Sequence, residues 1–175
     1  WWDYGRLSLY QTNSLLLAEN STEGERMRKF FGITTSFISK ILGSKAAYAL
    51  GISGRINDSK LGSTSVDSNS IVMSSKISSG SIKGSIVNNV RCKDIQADGC
   101  ILVNVTAESI RAEPGAIIYN VYDTKFEERS DAVSTGVFRE HNEPITMRSA
   151  LKYDGGKEWH NKILDNEHSF DEIIN

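Results

Sequence analysis

Apolar residues return along the middle of the chain at a nearly fixed interval. Ile56, Ile71, Ile86, Ile101 and Ile117 are separated by 15, 15, 15 and 16 residues. A second row, Leu61, Ile77, Cys92, Ala107 and Tyr122, and a third, Val66, Ile82, Ala97 and Ala112, keep almost the same step. Three rows in phase predict a mainly β fold: coils of three short strands and three tight corners, stacked as a triangular parallel β-solenoid. An ordinary sandwich has no reason to repeat three apolar positions in register. Strand alternation then turns the isoleucine of Ile71-Val72, Ile86-Val87, Ile101-Leu102 and Ile117-Ile118 inward and its neighbour outward. Small and polar corner residues recur from Ser70 to Ser74 and from Ser85 to Asn89, with Gly62, Gly80, Gly84, Gly99 and Gly115 at the turns.

The pattern changes on both sides of the repeats. Between Arg6 and Glu19, Leu7, Tyr10, Leu15, Leu16 and Leu17 recur at helical spacing. Thr22 and Glu25 form a capping box for a second short helix that carries Met27, Phe30 and Phe31 and ends at Gly32. After Asp123 the rows stop. The charged stretch 124–132 reads as a surface loop, and Val133 to Met147 as a hairpin on the last coil, turning at His141-Asn142-Glu143-Pro144. Asp154-Gly155-Gly156-Lys157 reads as a turn, since it lacks the G-x-x-x-x-G-K-S/T pattern of a phosphate loop. Ser169-Phe170-Asp171-Glu172 is a capping box that opens a terminal helix. The expected division is 1–40 for the leading helices and linker, 41–123 for the solenoid, and 124–175 for a C-terminal cap.

Composition narrows the chemistry. Among 175 residues, 20 Lys and Arg stand against 22 Asp and Glu, a formal charge of −2 that gives no global attraction to nucleic acid or an anionic membrane. No apolar run reaches the roughly 18–20 residues of a spanning helix, so a soluble intracellular chain is expected. Cys92 and Cys100 read as small buried thiols without a disulfide or metal role. His141, His160 and His168 lie outside the rows and read as surface residues. Solenoids that act as acyltransferases or zinc hydratases need histidines projecting from their coils, and this chain has none before His141.

The opening Trp1-Trp2-Asp3-Tyr4-Gly5, followed by Tyr10, Asn13 and Leu16, has the form W-x-D-x-G and then Y-x-x-N-x-x-L. With the repeats behind it, this run resembles the end of the catalytic domain in sugar-1-phosphate nucleotidyltransferases, closest to the plant-type (plastid) UDP-glucose pyrophosphorylases. Met147-Arg148-Ser149 and the 154–157 turn are similar to that group as well. The resemblance implies that the solenoid is a left-handed parallel β-helix and that residues 1–40 are the end of the catalytic domain plus linker helices. It implies the C-terminal part of an enzyme that makes UDP-glucose and pyrophosphate from UTP and glucose 1-phosphate, in the cytoplasm or a plastid. The matching position for a ligand of the catalytic Mg²⁺ is Asp3, which as a bare sequence feature also reads as a helix cap. Arg6 stands where many relatives have threonine, and faces either phosphate or solvent.

A start at Trp1 leads to the expectation of a piece of a longer protein, inactive alone because its phosphate-binding loop and second carboxylate lie upstream. The expected partners of the parent are a nucleoside triphosphate and a sugar 1-phosphate, with self-association through the solenoid and no role for nucleic acid or membrane. The alternative is a non-catalytic assembly or regulatory solenoid module of a nucleotidyltransferase-like protein.

Overall fold

In a computed structural model of the chain, residues 5–33, 51–138, 144–153, 158 and 160–174 are described. They form a parallel β-solenoid of about five turns with short helices before it and a helix at the end. Two sets of strands build the coils. The short strands β1 (Arg55–Asn57), β3 (Ile71–Met73), β5 (Ile86–Asn88), β7 (Ile101–Val103) and β9 (Ile117–Tyr119) stack on one another in parallel. The others, β2 (Lys60–Val66), β4 (Lys76–Lys83), β6 (Arg91–Asp98), β8 (Ser109–Ala112) and β10 (Lys125–Glu128), form a five-stranded parallel sheet. Its ladder skips Gly62, Ser78 and Lys93, where each long strand turns a corner, so a coil has three arms.

The solenoid runs on past Asp123. Lys125–Glu128 is a further rung and not the surface loop expected over 124–132, because Phe126 stacks in register on Ile110 and is 3% exposed. Lys125 and Glu127 face out while Phe126 and Glu128 face in, and a four-residue alternation made mostly of charged side chains is hard to tell from a solvated loop. The hairpin appears as expected: β11 (Ala132–Val137) adds in parallel to β9 and pairs antiparallel with β12 (Ile145–Ala150).

Two of the three apolar rows are inner rows. Val66, Ile82, Ala97 and Ala112 stack in register, as do Leu61, Ile77 and Cys92, with Ala107 following in the same core. Tyr122 departs from its expected row; it bridges Thr106 and is 69% exposed. The isoleucine row also faces the other way. Val72, Val87, Leu102 and Ile118 fill the solenoid, and Ile56 joins them because it stands in register with Val72. Ile71, Ile86, Ile101 and Ile117 stack in one column as expected, but on the outer face. They are buried there by helix α1 (Leu7–Leu16) and the turn after it. Strands covered on both faces carry apolar residues at successive positions, so alternation alone cannot assign the faces.

Corners are closed by polar groups. Asn89, Asn104 and Asn120 hold left-handed backbone, with φ of 52°, 56° and 54°. Their amides form a ladder in which Asn89 Nδ2 donates to Asn104 Oδ1 at 2.9 Å and Asn104 Nδ2 donates to Asn120 Oδ1 at 3.0 Å. Asparagine suits the place because it tolerates this backbone and stacks its own donor on its own acceptor. At the opposite corner Ser70 Oγ accepts from the Ser85 N–H and Ser85 Oγ from the Cys100 N–H, each at 3.2 Å. Gly80, at φ +124°, leaves no room for a side chain: a Cβ there would lie 1.9 Å from the Ile95 carbonyl oxygen.

Helix α2 (Thr22–Phe30) begins one residue earlier than the expected box. Its N-cap is Ser21, whose hydroxyl accepts from the Gly24 N–H at 3.0 Å. Met27 is buried, while Phe30 and Phe31 meet edge-on at 5.1 Å and are largely exposed. The terminal helix α3 (Phe170–Ile174) carries the expected box: Ser169 N–H donates to Glu172 Oε2 at 2.9 Å and Glu172 N–H to Ser169 Oγ at 3.1 Å.

Candidate functional site

Asp3 lies outside the described residues, as do Trp1, Trp2, Tyr4, His141 and the 154–157 turn. Arg6 is the N-cap residue of α1, with extended backbone and no side-chain cap, so the capping position expected for Asp3 belongs to Arg6.

The solenoid fixes α1 along its whole length. Leu7, Tyr10 and Leu15 pack on Ile101, Ile117 and Val133, and Leu15, Leu17 and Ala18 on Ile71 and Ile86. The Tyr10 hydroxyl meets that of Tyr119, with ring centroids 6.4 Å apart. Burial first, and then the contact with Tyr10, hold the Tyr119 phenol well above its usual range. Two arginines take up carbonyls at the far end of the helix. Arg28 Nη1 donates to Leu17 O at 2.7 Å and Arg55 Nη1 to Ala18 O at 3.0 Å, satisfying acceptors that a helix C-terminus leaves open. Desolvation, with Arg28 nearby, holds the Arg55 guanidinium below its ordinary value.

The helix start, held this way, opens into a cleft of about 1500 Å³ at the C-terminal end of the solenoid. Arg6, Arg111, Glu128, Arg129, Arg148 and Lys152 line it. Glu128 occupies the next inner position after Val66, Ile82, Ala97 and Ala112, and is 6% exposed. Its Oε1 accepts from the Arg129 N–H at 3.1 Å and its Oε2 from the Ser134 hydroxyl. Ser134 in turn follows Ile118 in the inner row of the other sheet. The last coil therefore ends its apolar core in a buried hydroxyl and carboxylate, each the partner of the other.

The cleft's charges are unevenly matched. Arg148 pairs with Asp165 at 2.8 Å, Glu127 with Lys125 at 2.9 Å, and Glu113 accepts from Ser130 at 3.0 Å. Arg6 and Arg129 make no ion pair with any described residue, and Lys152 lies 5.2 Å over the Tyr153 ring. Asp131 also lines the cleft and makes no ion pair with any described residue, so guanidinium groups without partners outnumber carboxylates without them, which suits an anion better than a metal ion. No group of three or more His, Cys, Asp or Glu among the described residues could hold a metal, so the Mg²⁺ expectation rests on Asp3 alone.

Arg111, Glu128, Arg129 and Ser134 were not singled out from the sequence. The readable signal was the 16-residue step from Ala112 to Glu128, which continues an inner row through a residue that is not apolar. Cys92 and Cys100 are free and buried as expected, and burial pushes both thiols up to about 12. His160 is exposed and stands 3.2 Å from Asp171, while His168 is half-buried at 3.8 Å from Glu172, so both sit at the surface beside α3. No helix among the described residues is long and apolar enough to cross a membrane. Comparison of the chain with known protein families, curated proteins and solved structures finds no match.

Proposed function

We propose that the chain is the C-terminal part of a nucleotidyltransferase that makes UDP-glucose from UTP and glucose 1-phosphate, and that its solenoid holds the end of the catalytic segment and does no chemistry itself. One observation supports this reading. Two of the stretches that carry the family resemblance, the opening run through Tyr10, Asn13 and Leu16 and Met147-Arg148-Ser149, are far apart in sequence, yet Arg6 and Ser8, which lie inside the first run between its motif positions, share one cleft with Arg148 and Ser149. A cleft lined by Arg6 and Arg129, which make no ion pair with any described residue, is compatible with phosphorylated substrates, since arginine binds phosphate oxygens through two parallel donors.

Transfer of a nucleotidyl group gathers negative charge between two polyphosphates, and Mg²⁺ is the ion that relieves it in such chemistry, with Asp3 as the residue offered to it here. The described residues bring no further ligand set, so no step is derived through the ion. A second reading, a non-catalytic assembly or regulatory module, is favoured because four of the five carboxylates that line the cleft, Glu113, Glu127, Glu128 and Asp165, already have partners.

Pyrophosphate release from UTP and glucose 1-phosphate separates the two. The 175-residue chain is expected to give none, and a longer protein that carries it is expected to turn over. Asp3→Asn in that protein should lower kcat/KM, with partial recovery at raised Mg²⁺ and an unchanged unfolding midpoint. An inactive longer protein would favour the module, and turnover by the 175-residue chain would overturn the proposed division of labour.

A further inference from the structure

The five-stranded sheet carries a column of cations on its solvent face. Lys60 stacks on Lys76 and Lys76 on Arg91 in direct register, and all three are exposed. Parallel neighbours lie about 4.8 Å apart, so three positive charges repeat at that spacing along the solenoid axis. The column continues through Thr106 to Tyr122, whose ring is 69% exposed. Like charges directly opposite one another oppose sheet formation. Elsewhere on this sheet Lys93 pairs with Glu108 at 2.5 Å and Lys125 with Glu127 at 2.9 Å, and the exposed Lys83 and Arg111, which make no ion pair with any described residue, stand in register with Asp98 and Glu127 and not with another cation. Lys60, Lys76 and Arg91 make no ion pair with any described residue. The arrangement is also local, because the chain as a whole has a formal charge of −2.

We infer that this column is a docking surface for the acidic face of a partner protein's helix, laid parallel to the solenoid axis. Spacing selects the occupant. Residues three and four apart on a helix present their side chains roughly 5–6 Å apart. That differs from the rung spacing by about 1 Å or less per step, which flexible lysine and arginine side chains absorb. An extended strand repeats its same-face side chains at roughly 6.6 Å and falls out of step by the third charge. Tyr122, at the end of the column, offers apolar contact where the charges stop, a common anchor type at protein interfaces.

The test is titration of the 175-residue chain with a helical alanine-rich peptide carrying glutamates at i, i+4 and i+7, read by fluorescence anisotropy at low salt. The control peptide has the same composition with its glutamates spread around all faces. The patterned peptide should bind at least about tenfold more tightly, lose affinity steeply as salt shortens the screening length, and weaken about threefold for Lys76→Gln. Lys76→Glu with Arg91→Glu should abolish binding without lowering the unfolding midpoint, since both side chains are exposed and the variant replaces one of two like-charge contacts by an opposite-charge one. Equal affinity for the two peptides, undiminished binding by the double variant, or tighter binding of oligo(dT) than of the patterned peptide would each overturn the proposal, the last by making the column a phosphate-backbone surface.

Discussion

Ile71 and Val72 are neighbours in one strand and belong to two different cores. Val72 is wholly buried inside the solenoid beneath Val87, whereas Ile71 looks outward and packs with Ile86 against Ala18 at the end of α1. Each coil therefore does two jobs with adjacent side chains: one holds the coils together, and the other holds the leading helix on their outside.

Truncating the two rows should have separable effects. Ile86→Ala and Val87→Ala should each cost about 2–4 kcal/mol, within the usual range for large-to-small changes in a core. Ile86→Ala should loosen α1 before the solenoid melts, giving early proteolysis within 7–20 and a later cooperative transition. Val87→Ala should lower the main transition without that early cleavage. Denaturant unfolding paired with limited proteolysis checks both.

The asparagine ladder yields a second test. Asn104→Gly removes two amide contacts but keeps easy access to φ +56°, whereas Asn104→Ala also forces a Cβ into left-handed backbone. Loss of the contacts should cost about 1 kcal/mol, and alanine should be worse than glycine by about another 1 kcal/mol. Urea midpoints of the two variants, compared with the parent, give both differences.

The cleft floor rests on a buried pair whose coupling is measurable. Ser134→Ala leaves Glu128 Oε2 without its donor inside the last coil and should cost about 1–3 kcal/mol. Glu128→Leu combined with Ser134→Ala should recover most of that loss, because the same row is apolar at Val66, Ile82, Ala97 and Ala112. A double-mutant cycle by thermal unfolding gives the coupling energy.

The buried thiols contribute to the alkaline limb of stability. A cysteine in an unfolded chain ionises near pH 8.5, about 8.5 being its ordinary value, while burial holds Cys92 and Cys100 at about 12. The native state keeps protons that the unfolded state gives up, so this contribution is complete below about pH 8.5 and is lost as pH rises toward 12. Tyr119, whose phenol is also raised, acts in the same direction. Stability should fall between pH 8.5 and 10.5 in urea titrations, and Cys100→Ala should flatten that fall.

The interval of the repeats made the solenoid legible because a coil cannot change length without breaking its stack. Which face each row takes was not legible. The outward isoleucines look like core residues, and they are buried, but by a helix that lies some 50 to 100 residues earlier in the chain and leaves no mark in the local pattern. The cleft was hidden for a related reason. Glu128 and Ser134 sit at inner positions where the period calls for apolar residues, and their mutual hydrogen bond, which makes burial tolerable, is a tertiary fact. The terminal helix was readable to the residue, since Ser169 and Glu172 satisfy each other within a single turn.

Docking of α1 on the outer isoleucine row is what places Arg6 at the cleft, and amide hydrogen exchange of α1 reads that docking residue by residue. In the parent chain the amides from Tyr10 to Leu16 should exchange nearly as slowly as those of β7. Ile101→Asp should strip that protection from α1 by putting a charge under Leu7, Tyr10 and Leu15, while β4 and β6 keep theirs. Fast exchange of α1 in the parent, or protection that survives Ile101→Asp, would contradict the claim that the solenoid wall holds this helix.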